Sequence, residues 1–171
     1  DFCFNLHDQR TIYNVGSLEK PATLSFLAPS HDIDRTVSSG REDSMKIIVA
    51  MHKALSPLIP AQIGSYDDSF NPNCVGDTFQ MLGTPTVLFE AGHYPEDYNR
   101  EKTREFIFYA LISAISVIAR NEIQGYNVDD YFNIPENNKR YFDLLISNAY
   151  LISTKYDQNI GILYKEVLDE G

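Results

Sequence analysis

Two side chains, far apart in the chain, have the type and setting for acid–base chemistry: Glu90 and His7. Residues 86–89 read Thr-Val-Leu-Phe, bounded by Gly83 and Pro85 on one side and Ala91-Gly92 on the other. A short apolar, β-favouring run between such breakers predicts a buried strand. Glu90 stands at its tip. A carboxylate there is costly to desolvate unless it is paired, protonated or used. Open α/β sheets carry their chemistry at the carboxyl ends of strands, so the position suits a general base. The plainer alternative is a buried salt bridge or a cap on the next loop. His7 ends a second predicted strand, residues 2–6, where Phe2, Phe4 and Leu6 alternate with Cys3 and Asn5. The two side chains thus hold equivalent places at two strand ends. A neutral imidazole near a carboxylate suits a zinc site with a general base. One imidazole is not a site, because catalytic zinc takes about three protein ligands.

The elements that must position this pair follow from the pattern. Residues 2–6 are apolar enough on both faces to predict a central strand. Residues 23–27 form a further strand candidate, and residues 30–40 a polar loop. A helix is expected over 42–55, with Met45, Ile48, Val49, His52 and Leu55 at helical spacing and Pro57 and Pro60 beyond its end. His52 lies on its apolar side as a packed histidine. Residues 63–73 are turn-rich and aperiodic, a setting in which function tends to sit. A short helix follows over 74–82, stopped by Gly83. The longest helix is expected over 100–121, a third long helix over 135–150, and a final strand or extended tail over 160–167. Helices between apolar strands predict one α/β domain over residues 1–171, with a mixed, mostly parallel sheet flanked by helices.

Bulk properties narrow the partners. The 171 residues carry a formal net charge of -10. That argues against nucleic acid or an anionic membrane surface as partner, since both call for a basic patch. There is no glycine-rich phosphate loop and no Gly-x-Ser-x-Gly elbow. The longest apolar run, residues 106–119, is about 14 residues and falls short of a bilayer span. The two cysteines, Cys3 and Cys74, are too few for a disulfide framework and are expected as buried thiols. His93-Tyr94-Pro95-Glu96 has metal-ligand spacing, but Pro95 predicts a turn there. Arg10 and Arg41 are candidate anion binders, with a solvated or salt-bridged state as the alternative.

Three stretches together resemble a known family. They are Phe4-Asn5-Leu6-His7-Asp8-Gln9-Arg10-Thr11, Gly76-Asp77-Thr78-Phe79-Gln80 and Leu88-Phe89-Glu90-Ala91-Gly92-His93. Their order resembles the C-terminal half of a zinc metallocarboxypeptidase of the carboxypeptidase A-like superfamily, in a bacterial branch. The resemblance covers roughly residues 1–120. It implies a partial carboxypeptidase-like fold, one zinc ion, His7 as a metal ligand and a peptide substrate. It implies that Glu90 takes a proton from the attacking water and returns one to the leaving amine. It matches Tyr66 to the tyrosine that caps the substrate from a mobile loop. Gly76, beside Asp77, falls near the floor of the family's side-chain pocket and gives no support to a basic-residue specificity. The family's His-x-x-Glu pair and its arginines precede the lone His and have no counterpart here. Asp8 stands where the digestive enzymes have a small residue.

Three readings follow. The first is a zinc carboxypeptidase, in which this chain carries His7 and Glu90 and is inactive alone. The second keeps the fold and metal but deacylates N-acyl amino acids or cuts cell-wall peptides. The third is a non-catalytic α/β binding domain, with Glu90 and His7 in structural roles. Side chains that share one cleft favour the first two; side chains on opposite faces of the sheet favour the third. A strand at the very start predicts an exposed sheet edge, and with it a dimer or association with an N-terminal half.

Overall fold

The computed structural model describes residues 1–165, 167 and 168. Among the described residues there are eight strands and four α-helices, with strands at both ends of the order. The central sheet has four strands: β1 (Cys3–Asp8), β3 (Leu24–Leu27), β4 (Ile63–Ser65) and β5 (Thr86–Ala91), in the order β1-β5-β3-β4. β1 runs parallel to β5 and β3 parallel to β4, while β3 and β5 are antiparallel. The sheet is therefore mixed and mostly parallel, as the apolar strand pattern predicts.

Strand alternation assigns the two faces. Phe26, Val87 and Phe89 point to one of them. There they meet α1 (Ser39–Leu55) and α3 (Glu101–Ala119), which pack on each other. Phe89 lies edge-on between the rings of Phe4, at 5.6 Å, and Phe26, at 5.3 Å. α1 begins where Ser38, in extended backbone, accepts a hydrogen bond from the Arg41 amide. Its residues Met45 to Met51 are all buried, so hydrophobic burial rather than propensity holds this helix. α3 buries Phe106, Ala110, Ala114 and Val117 at spacings of three and four. α2 (Val75–Met81) is short, and Gly83 follows it with φ +85°, a left-handed conformation that glycine adopts without strain.

The structure corrects four expectations. β1 is an edge strand, not a central one. Its apolarity on the helix side serves packing against α3, while its outer edge is open and Leu6 is 53 % exposed. Residues 63–73 are not all loop, because Ile63–Ser65 form β4. The third long helix over 135–150 does not form. Tyr141, Leu144, Leu145 and Asn148 imitate a helical face, but the segment holds β6 (Asn137–Lys139) and β7 (Leu144–Leu151). β6 pairs with β2 (Tyr13–Val15), and β7 pairs with β8 (Tyr156–Ile162) in an antiparallel hairpin. The register slips between Ile146 and Ala149, where Asn148 takes φ 54°. The final strand or extended tail expected over 160–167 is strand as far as Ile162, and Glu166 lies outside the described residues. Finally, Cys74 is exposed and Cys3 partly buried; both thiols are free.

Candidate functional site

His7 and Glu90 are direct neighbours in the β1–β5 register. Both stand one residue before the carboxyl ends of parallel strands, since each strand extends one residue past them. Their side chains project from the face opposite α1 and α3, with His7 Nδ1 3.9 Å from Glu90 Oε1. His7 is about half exposed at its side chain and Glu90 is buried. Asn5 Oδ1 lies 3.1 Å from His7 Nε2 and orients the ring from the same strand.

The chain ends of β1 and β5 are clamped together by Arg100. Its guanidinium pairs with Asp8 and donates to the carbonyls of Ala91, at 2.8 Å, and Gln9, at 3.2 Å. This keeps the His7 and Glu90 positions level. Across the sheet Glu90 faces Ser25 on β3, and Ser25 faces Gly64 on β4. A polar row thus runs His7, Glu90, Ser25, Gly64. Ser25 donates to Gln9 Oε1 at 3.2 Å and accepts from Asn137 Nδ2 at 2.6 Å. Gln9 crosses toward Ser25 past Gly92, where a Cβ would sit 1.8 Å from the Ala22 carbonyl oxygen. Asn137 lies over Gly64, where a Cβ would sit 2.0 Å from its Oδ1. Gly92 is therefore required by the approach of backbone, and Gly64 leaves the room that the Asn137 side chain fills.

Glu90 is the electrostatic focus. Burial pushes its carboxyl up to about 7, and the charge of Asp8 pushes in the same direction. A carboxyl balanced near neutrality can both take and give a proton. Tyr66 directly follows β4, with its amide donating to the Phe26 carbonyl at 3.0 Å. Its hydroxyl lies 3.3 Å from that of Tyr13. Burial, the Tyr13 hydroxyl and the charges of Glu90 and Asp67 raise its phenol above the ordinary range. Tyr66 lines a cleft of about 660 Å³ with Arg35, Asp68, Glu136 and Asn137. A second groove, about 530 Å³, runs along the open edge between β1 and α3 and includes His7.

The remaining sequence candidates fall away from this face or are committed elsewhere. Arg41 is 1 % exposed and bound to Asp68, so it offers no free guanidinium to an anion. Arg10 pairs with Asp143 at 3.7 Å and donates to the Tyr164 carbonyl. Glu96, with φ 60°, sits in the turn that Pro95 predicts. His52 is partly buried against Ser56, and burial lowers its pKa. Gly76 packs against Pro29 and Asn5, and Asp77 accepts from the Asn71 amide. Sequence reasoning missed Tyr13, Ser25 and Asn137. Ser25 was readable as a polar residue inside an apolar strand. Asn137 was hidden by the helix assignment.

Among the described residues no three His, Cys, Asp or Glu side chains converge on a metal position. His7 supplies one imidazole where catalytic zinc takes about three protein ligands, so these residues do not by themselves fit a zinc ion. Comparison of the chain with protein-family models, with curated proteins and with solved structures returned no match.

Proposed function

We propose that this chain is the proton-transfer part of a zinc metallocarboxypeptidase-type hydrolase acting on peptide C-termini. In this reading Glu90 is the general base and acid, His7 is one metal ligand, and Tyr66 covers the substrate. The observation that carries the proposal is the side-by-side placement of His7 and Glu90 at the carboxyl ends of two parallel strands, with the carboxyl poised near neutrality. A buried carboxylate kept only for structure would gain from a firm cationic or hydrogen-bonding partner. Glu90 has instead a half-exposed imidazole beside it.

The remaining metal ligands and the arginines that bind the substrate's carboxylate come from polypeptide outside this chain. The open edge of β1 is where it docks. This edge lies next to His7, and the groove beside it is lined by Ile107, Leu111 and the exposed Phe108 of α3. The opposite edge, β4, is closed by the Pro135–Glu136 segment. A strand added at β1 would satisfy its outward backbone groups and cover the apolar stripe.

The reading predicts that the 171-residue chain alone binds zinc weakly, through His7, and releases no C-terminal residue from peptides. Calorimetric titration with zinc should show weak uptake that disappears in His7→Ala. Stoichiometric tight binding, or uptake unchanged in His7→Ala, would contradict the assignment of His7.

A further inference from the structure

We infer that Tyr13 and the Arg41–Asp68 pair are positioning groups that hold Tyr66 in one preset place on the Glu90 side of the sheet. The inference rests on the reading of Tyr66 as the residue that covers the substrate, and it replaces the mobile loop that the resemblance implies with a held one. The loop after Tyr66 is tied at each step. Asp67 accepts from the amide and hydroxyl of Ser69 at 3.0 and 2.7 Å. The Asp68 carbonyl accepts from Ser30 Oγ at 2.8 Å. Its carboxylate binds Arg41 at 2.6 Å and Arg35 at 2.9 Å. Asp77 then holds the Asn71 amide.

Arg41 makes this tie hard to release. Its guanidinium is buried and also donates to the carbonyls of Ala28, at 3.1 Å, and Arg35, at 2.5 Å. A buried cation that loses its carboxylate is left uncompensated, so Asp68 stays and the backbone two residues back stays with it. The far end of Tyr66 is held by Tyr13, with the ring centroids 5.8 Å apart. Tyr13 itself is fixed in β2 opposite Lys139, whose ammonium lies 5.8 Å from its ring centroid. Tyr13, Glu90 and Asp67 act on the Tyr66 phenol, and the cleft it lines also holds Asp68, Glu136, Tyr131, Arg35 and Arg41. Negative groups predominate, so the phenol is kept neutral and available as a hydrogen-bond donor.

The test is nuclear magnetic resonance of the whole chain labelled at the tyrosine rings, with Tyr66 identified through Tyr66→Phe. In Tyr13→Phe the Tyr66 hydroxyl is expected to titrate lower, toward the ordinary value of about 10. In Asp68→Asn the Tyr13–Tyr66 ring cross-peaks are expected to be lost while circular dichroism is retained. Should Asp68→Asn not fold, the double variant Arg41→Met/Asp68→Asn, which removes both charges, takes its place. An unchanged Tyr66 titration in Tyr13→Phe, or intact cross-peaks in the folded loop variant, would overturn the inference. No turnover enters these readings, so failure of the hydrolase proposal would leave them untouched.

Discussion

Glu90→Gln is expected to stabilise the fold by about 3 kcal/mol near pH 8 and to change it little near pH 4. The argument starts from the buried carboxyl, raised to about 7 by desolvation first and by Asp8 second. In the unfolded chain the same group titrates near 4.5. The folded state therefore binds this proton more tightly. Its contribution to stability is fully present below about pH 4.5 and is lost as pH rises through about 7. Glutamine is neutral throughout and escapes that loss. Urea unfolding of both proteins across this range measures the difference, in which other titrating groups largely cancel. Parallel stability curves would show that Glu90 is not held as a high-pKa acid. Stabilisation by removing a charge is also what a functional, strained carboxylate predicts, because such sites cost stability.

Arg41→Met is expected to destabilise the chain by about 3 kcal/mol or more, the scale for breaking a buried ion pair from one side. The substitution strands the Ala28 and Arg35 carbonyls and leaves Asp68 with Arg35 alone. The double variant with Asp68→Asn should recover part of the loss, with a coupling of about 1 kcal/mol or more, since contacting residues are not additive. Denaturant midpoints of the wild type, both single variants and the double variant give that coupling. Additive losses would mean that Arg41 is held by its carbonyl bonds and packing, and that Asp68 is incidental to it.

The sheet was legible where burial imposed it. Residues 86–89 read as a buried strand, and the two-residue extension through Glu90 to Ala91 follows from pairing on both sides. α1 and α3 were legible from their apolar spacing, and α1 also from Pro57 beyond its end. Strand order was not. An apolar strand reads the same whether its second neighbour is a strand or a helix face, so the pattern of residues 2–6 fits a central and an edge strand alike. The 135–150 segment was misread because Tyr141, Leu144, Leu145 and Asn148 satisfy helical spacing by coincidence. The β-branched and aromatic residues from Ile146 to Tyr156, with left-handed Lys155 in the turn, decide for a hairpin.

The candidate site was half legible. His7 and Glu90 announced themselves as polar residues at apolar strand ends. That they are register neighbours depends on pairing across more than eighty residues of chain, which no local pattern encodes. The role of Gln9, Ser25 and Asn137 around them is likewise a product of tertiary approach, permitted by the missing side chains of Gly64 and Gly92.

The most direct test of the central claim is release of C-terminal residues from peptides by this chain, combined with the polypeptide that the proposal calls on for the remaining ligands and loaded with zinc, comparing wild type with Glu90→Gln. The account predicts turnover in the wild type and a loss of about 10²- to 10⁴-fold in the variant, the usual contribution of a positioned general base. The variant should remain folded, since glutamine stabilises that position above neutral pH. Undiminished turnover in folded Glu90→Gln, or no hydrolysis by the zinc-loaded wild type, would contradict it.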